Sequence, residues 1–193
     1  MSKTMKGKRS KEMIIESACV LLSEENYDSL SLNQFCVHNN ISKGQLYHHF
    51  ASKDDLYLES IRYVYDLFYT TLKNNVALGN GFEIDLKNYL SIRKNFSLNY
   101  PVYSSVFFKS LLSPPDNLKH EINHLHHDIK QFNYEVLSDI VKSAPLRDGL
   151  NHEQVVTYYI LVIDTFNQNF SFDNSHSLDS YLDLFDVLVD TLL

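Results

Sequence analysis

Between Ile41 and Leu56 the chain reads ISKGQLYHHFASKDDL, concentrating Lys43, Gln45, Tyr47, His48, His49 and Lys53 in a protein whose formal net charge is -7. Ammonium, amide, phenol and imidazole groups donate hydrogen bonds to phosphate oxygens and to base edges. Leu46 and Phe50 lie one helical turn apart and give the stretch an apolar side, while Lys43 with Tyr47 and Gly44 with His48 pair on the other. A helix with that outward face fits the major groove of B-form DNA, with its N-terminal half meeting the bases. Gly44 lets the backbone approach a duplex, Gln45 can offer an amide to adenine, and Tyr47 presents a donor to phosphate from a rigid ring. Lys53 adds a cation beside the free amides of the next helix start.

The elements that must position these groups are legible from apolar spacing and caps. Five glycines and four prolines in 193 residues, with helical periodicity almost throughout, predict an all-α protein of about nine helices. Ile14, Ala18, Leu21 and Leu22 mark a first helix from about Ser10 to Glu25, followed by a loop over 26–30. Ser31 and Gln34 have capping-box spacing at the start of a short second helix, which ends near Asn39-Asn40, a pair suited to a tight turn. Ser42 is expected to cap the third helix, through Phe50, and Ser52 a long fourth with Asp54 and Asp55 in its first turn. Two short helices separated by a tight turn describe a helix-turn-helix unit. Further helices are expected from Phe82 to Asn99, from Pro101 to before Pro114, from Asn117 to Ser143 and from the Asn151 cap. The last helix has Tyr181, Leu182, Phe185, Leu188, Val189 and Leu192 on one side and Asp179, Asp183, Asp186 and Asp190 on the other.

Charge divides the chain the same way. Up to Lys53 there are seven lysines and arginines against five acidic residues; beyond it there are ten against nineteen. Four of the seven lie within the first nine residues, as a flexible arm would present them. The expected division is a DNA-binding segment over 1–52 and a second helical domain over 53–193. No run reaches the roughly 18 apolar residues of a membrane helix, and VVTYYILVIDTF is interrupted by Asp164. The basic N-terminus lacks the pattern of a secretory signal, so a soluble cytoplasmic protein is expected. Cys19 and Cys36 sit among apolar neighbours and read as core residues.

The run from Ile14 to Leu56, above all ISKGQLYHHF followed by Ser52-Lys53, resembles the DNA-binding domain of the TetR family of bacterial transcriptional regulators. The resemblance implies that Ser31 and Asn33, at the start of the second helix, touch phosphate or a base. It further implies that Lys43, Gly44 and Gln45 read bases, that Tyr47, His48 and His49 contact the sugar-phosphate backbone, and that Lys53 binds phosphate. Ser42, as the cap of the reading helix, belongs to the same surface. Cys36 stands where a smaller residue is usual, Asn39-Asn40 replaces an alanine-glycine turn, and Gln45 replaces a frequent threonine or serine.

The resemblance also implies a ligand-responsive regulator, in particular a repressor, that binds a palindromic operator as a homodimer through its last two helices and is released by a small molecule. It makes 53–193 the effector-binding and dimerisation domain. No enzyme activity, cofactor or membrane partner is expected. Phe68, Tyr69, Phe96, Tyr103, Phe107, Phe132 and Phe166 would line the effector pocket, unless they are ordinary core. Residues 155–166, apolar on nearly every side, would be covered both by their own core and by a partner subunit. Two other readings stay open at this level. His120, His124 and His127, at i, i+4 and i+7 on the seventh helix, have the spacing of a metal-binding face, in a metal sensor or metalloenzyme, or else form a solvated polar face. A helical interaction module without DNA binding is the other.

Overall fold

The computed structural model describes the backbone over residues 3–170 and side chains from residue 7 to residue 164, apart from residue 8. Eight α-helices and two 3-10 turns follow one another, with no strand among the described residues: α1 (Lys3–Glu24), α2 (Leu32–His38), α3 (Lys43–His49), α4 (Lys53–Asn75), α5 (Phe82–Asn99), α6 (Pro101–Leu112), α7 (Lys119–Val141) and α8 (His152–Phe170). The ninth expected helix lies outside the described residues.

Most ends obey the local chemistry of the sequence. The Ser42 hydroxyl accepts from the Gln45 amide at 3.1 Å, and Ser52 does the same for Asp55 at 3.1 Å while the Asp55 carboxylate accepts from the Ala51 amide at 2.8 Å. Asn151 and Gln154 form a reciprocal pair of the same kind at the start of α8. Asn40 takes the left-handed turn conformation, with φ of 55°, as an asparagine tolerates best after glycine. Pro101 occupies the first turn of α6, where its missing amide proton is not needed.

Three expectations fail. The basic N-terminal arm is helical: α1 begins at Lys3 rather than Ser10, because lysine, methionine and arginine favour helix and no proline intervenes. Ser31 is the N-cap of α2 but makes no side-chain cap bond, so the spacing with Gln34 is not used as a capping box. The segments before α2 and α7 contain 3-10 turns, Tyr27–Ser29 and Asp116–Leu118, and the latter displaces the expected start of α7 at Asn117.

The backbone divides into two compact units, Met1–Leu67 with Tyr100–Leu125, and Phe68–Asn99 with His126–Leu193. In the first, Ile14, Ala18, Cys19, Leu22, Phe35, Leu46, Phe50, Leu56 and Ile61 form a buried core around α1. Both cysteines are free and buried as expected, and burial, aided by Glu16, pushes the Cys19 thiol up to about 12. α6 packs on α1 and closes its C-terminal end: Lys109 Nζ donates to Ser23 O at 2.7 Å, and Ser105 Oγ to the same carbonyl at 3.1 Å. In the second unit Phe68, Leu72, Phe82, Leu86, Tyr89, Ile129, Leu137, Val156 and Tyr159 are buried. The loop before α5 is pinned by Asp85, whose carboxylate accepts from the amides of Gly79 at 2.7 Å and Asn80 at 3.2 Å.

Candidate nucleic-acid interface

The candidate interface is built on the back of α3. Leu46 is fully buried and Phe50 nearly so, and these two anchors turn Lys43, Gly44, Gln45, Tyr47 and His48 outward. Burying two large apolar side chains contributes roughly 1.5–3 kcal/mol each, which fixes the face that α3 exposes. The α2–α3 connection is short: Ile41 N donates to Cys36 O at 3.0 Å, and Asn39 Nδ2 to Phe35 O at 2.9 Å. Cys36 is therefore part of the turn's support.

Tyr47 is 53% exposed, so its ring and hydroxyl are available to a partner outside the chain. Gly44 is equally informative. A Cβ placed there would meet nothing within 4 Å, so no neighbour in the chain requires a glycine. Gln45 reaches sideways from α3, its Nε2 donating to Ser10 Oγ on α1 at 3.1 Å. That contact borders an open cleft of about 290 Å³ lined by Arg9, Ser10, Met13, Ile14, Ser17, Asn39, Ile41 and Gln45.

His48 and His49 meet edge to face with ring centroids 4.9 Å apart, and His49 also lies against Phe50. Partial burial first, then the neighbouring His48 and Lys11, hold the His49 imidazole below its ordinary value. Lys53 is oriented by α4's approach: Nζ donates to Asp28 O at 3.2 Å and stands 4.1 Å from the Tyr27 ring centroid. Tyr27 in turn donates to Asp54, whose other carboxylate oxygen accepts from Asn117 Nδ2 at 3.0 Å. Sequence reasoning missed Tyr27, Asp54 and Asn117, because the contacts join residues 27 and 63 positions apart. Ser31 is half-buried at the start of α2 and Asn33 is exposed on it.

The remaining candidates fall elsewhere. Among the aromatic residues, Phe68 packs on Phe96 at 4.7 Å and Tyr69 on Phe132 at 5.4 Å in the second unit. Tyr103 and Phe107 belong to the first unit, against Tyr63 and Tyr65. The side chain of Phe166 lies outside the described residues. His120, His124 and His127 are exposed on α7, and no group of three His, Cys, Asp or Glu able to hold a metal occurs among the described residues. The i, i+4, i+7 spacing places them on one helix face, and among the described residues no second element adds a further ligand to them. No described helix is long and apolar enough to cross a membrane.

Residues 14–60 match the family described as "Bacterial regulatory proteins, tetR family". Over 169 residues the chain is 24% identical to the biofilm operon icaADBC HTH-type negative transcriptional regulator IcaR of Staphylococcus epidermidis, covering 87% of this chain and 88% of that protein. Its fold is similar to that of a TetR-family transcriptional regulator from Agrobacterium tumefaciens, with a TM-score of 0.72 at 11% identity, covering 96% of this chain and 98% of that one. It is also similar to AibR, solved with isovaleryl coenzyme A and operator DNA, with a TM-score of 0.69 at 15% identity and 95% and 97% of the two chains covered.

Proposed function

We propose, for a chain that belongs to the TetR family of bacterial regulatory proteins, that it is a homodimeric repressor whose α3 reads a palindromic operator and whose hold on DNA is released by a small molecule. The functional division is 1–52 for DNA and 53–193 for effector and dimer. The observation that carries the reading is the pairing of a fully buried Leu46 with an outward row of Lys43, Gly44, Gln45, Tyr47 and His48, in which Gly44 has no neighbour that demands it. On the outward face of a short helix, the missing side chain at Gly44 leaves the backbone open to a close approach from outside.

In this reading Lys43, Gly44 and Gln45 meet base edges, and Tyr47, His48, His49, Ser42, Ser31 and Asn33 fix the register through sugar and phosphate. The Ser31 hydroxyl makes no cap bond, which suits a role toward phosphate. Lys53 supplies a phosphate contact from a position set by Tyr27 and Asp28. Two copies of α3 would sit about 34–36 Å apart, one turn of the duplex, or a multiple of it. Leu161, 60% exposed within the Tyr158–Ile163 run of α8, supports a partner subunit on that helix.

Phe68, Tyr69, Phe96 and Phe132 are the described aromatic residues that best suit an effector site, since they share the second unit. A molecule that switches the regulator nearly completely must bind the DNA-incompetent state about 10^4-fold more tightly than the competent one. The direct test is footprinting of the purified protein on the DNA upstream of its own and adjoining genes. A protected, two-fold symmetric site supports the reading; no protection at low salt contradicts it.

A further inference from the structure

α5 turns one permanently charged side chain into the apolar interior of the second unit. Along its buried face Phe82, Leu86, Tyr89, Leu90 and Phe96 are joined by Arg93, only 5% exposed. Its Nη1 donates to the Tyr89 hydroxyl at 3.4 Å and to Asn133 Oδ1 on α7 at 3.2 Å, and Tyr89 donates to the same Asn133 oxygen. The guanidinium stands 5.1 Å from the Phe68 ring centroid and 5.8 Å from that of Tyr89. Every one of these partners is neutral. Among the described residues Arg93 forms no ion pair, and its Nε and Nη2 have no acceptor.

Burying an uncompensated charge is costly, and neutral acceptors and ring faces offset only part of that cost. No ion pair among the described residues offsets it. His126 on α7 is buried and held neutral, its imidazole pushed down to about 4 by burial first and then by Lys130 and Arg93. Asp164 on α8 is raised by its own burial against the pull of Lys130 and Arg93. On the same helix, five residues before Asp164, the Tyr159 hydroxyl is buried with no hydrogen-bond partner among the described residues.

We propose that Arg93 is the anion-binding centre of the effector region, taking the carboxylate of a small molecule whose apolar body lies against the rings of Phe68 and Tyr89. This deepens, and rests on, the reading of the chain as an effector-released regulator. The free Nε and Nη2 edge of a guanidinium is the fork that accepts a planar carboxylate with two parallel hydrogen bonds. A singly charged group is favoured over a doubly charged phosphate, because one guanidinium balances one negative charge and leaves a second uncompensated in apolar surroundings. Tyr89 and Asn133 then act as positioning residues that hold the fork in place.

The test uses the full-length protein with three probes of one chain length: octanoate, octan-1-ol and octylammonium. Octanoate is expected to raise the thermal midpoint by several degrees in a concentration-dependent way, octan-1-ol by much less and octylammonium not at all. Arg93→Gln should abolish the octanoate shift. Asn133→Asp, nearly isosteric, puts a carboxylate beside Nη1 and should also abolish it by neutralising the fork from within, so it decides the matter alone if Arg93→Gln does not fold. Octanoate acting no better than octan-1-ol, or equally on wild type and Asn133→Asp, overturns the proposal. Operator binding by the unliganded protein is measured alongside. Its absence strikes at the regulator reading, whereas its presence without a carboxylate-specific shift strikes at the anion site alone.

Discussion

Lys53 holds its ammonium 4.1 Å from the centroid of the Tyr27 ring and donates to the carbonyl of Asp28. The phosphate-binding candidate on α4 is thus set by a turn 25 residues earlier in the chain. A cation over an aromatic face at a partly exposed site contributes about 0.5–1 kcal/mol. Tyr27→Leu should therefore lower operator affinity by a few-fold while leaving its salt dependence unchanged, because the charge is still present but less well placed. Anisotropy titrations at several salt concentrations separate the two quantities. A changed salt slope in Tyr27→Leu would contradict the assignment.

Gly44 offers a test in which stability and function move in opposite directions. No atom stands in the way of a Cβ there, and alanine is favoured over glycine in a helix by roughly 0.5–1 kcal/mol. Gly44→Ala should leave the urea midpoint unchanged or raise it, while DNA binding weakens at least tenfold. Binding at wild-type strength would mean that the backbone of α3 does not approach the duplex.

Gln45 reads a base only if its amide is presented to one. Its Nε2 already donates to Ser10 Oγ, which leaves Oε1 and the second amide hydrogen to meet a base. Gln45→Ala should relax base preference at one position per half-site, by the equivalent of about 1–3 kcal/mol of discrimination, with little change elsewhere. Selection from a randomised operator library measures it directly, and an unchanged consensus would remove Gln45 from the reading face.

Two titrating groups give the second unit an acid limit. His126, with its imidazole pushed down to about 4, is neutral when folded and takes up a proton on unfolding. Its contribution is complete above the ordinary imidazole value of about 6.5 and is lost as pH falls from there toward 4, on the order of 3 kcal/mol in all. Asp85 acts lower. Burial alone would raise its carboxyl, but the amides of Gly79 and Asn80 outweigh that and hold it below the usual carboxylate range. Its stabilisation is present above the unfolded value of about 3.9 and is lost as pH falls through the folded one. Urea unfolding of wild type and His126→Gln between pH 7 and pH 4 should show a much flatter pH dependence in the variant.

The outward face of α3 was legible in the sequence because it depends on neighbours. Leu46 and Phe50 at helical spacing, Ser42 and Ser52 as caps and Asn40 in the turn are choices made within a few residues, and each appears in the structure where local chemistry puts it. The start of α1 was not legible, since no cap residue marks Lys3 and helix propensity alone is a weak signal. Contacts across long separations were invisible. Lys53 with Tyr27, and Arg93 with Asn133, have no trace in local spacing. The aromatic candidates were drawn from composition, which cannot say that Tyr103 and Phe107 belong to one unit and Phe68 and Phe96 to the other. One clue was available: Arg93 falls on the apolar i, i+4, i+7 stripe shared by Phe82, Leu86, Tyr89 and Phe96, where a charge requires explanation.

The salt dependence of operator affinity tests the central claim most directly, measured by anisotropy on wild type, Tyr47→Ala and Lys53→Ala. Wild-type affinity should fall steeply as salt rises, and Lys53→Ala should lose affinity and reduce the slope by about one released counterion. Tyr47→Ala should lose affinity with its slope retained, and all three proteins should keep the same molecular weight in solution. Wild-type affinity and slope in both variants would contradict the assignment of α3 and the start of α4 as the surface that holds DNA.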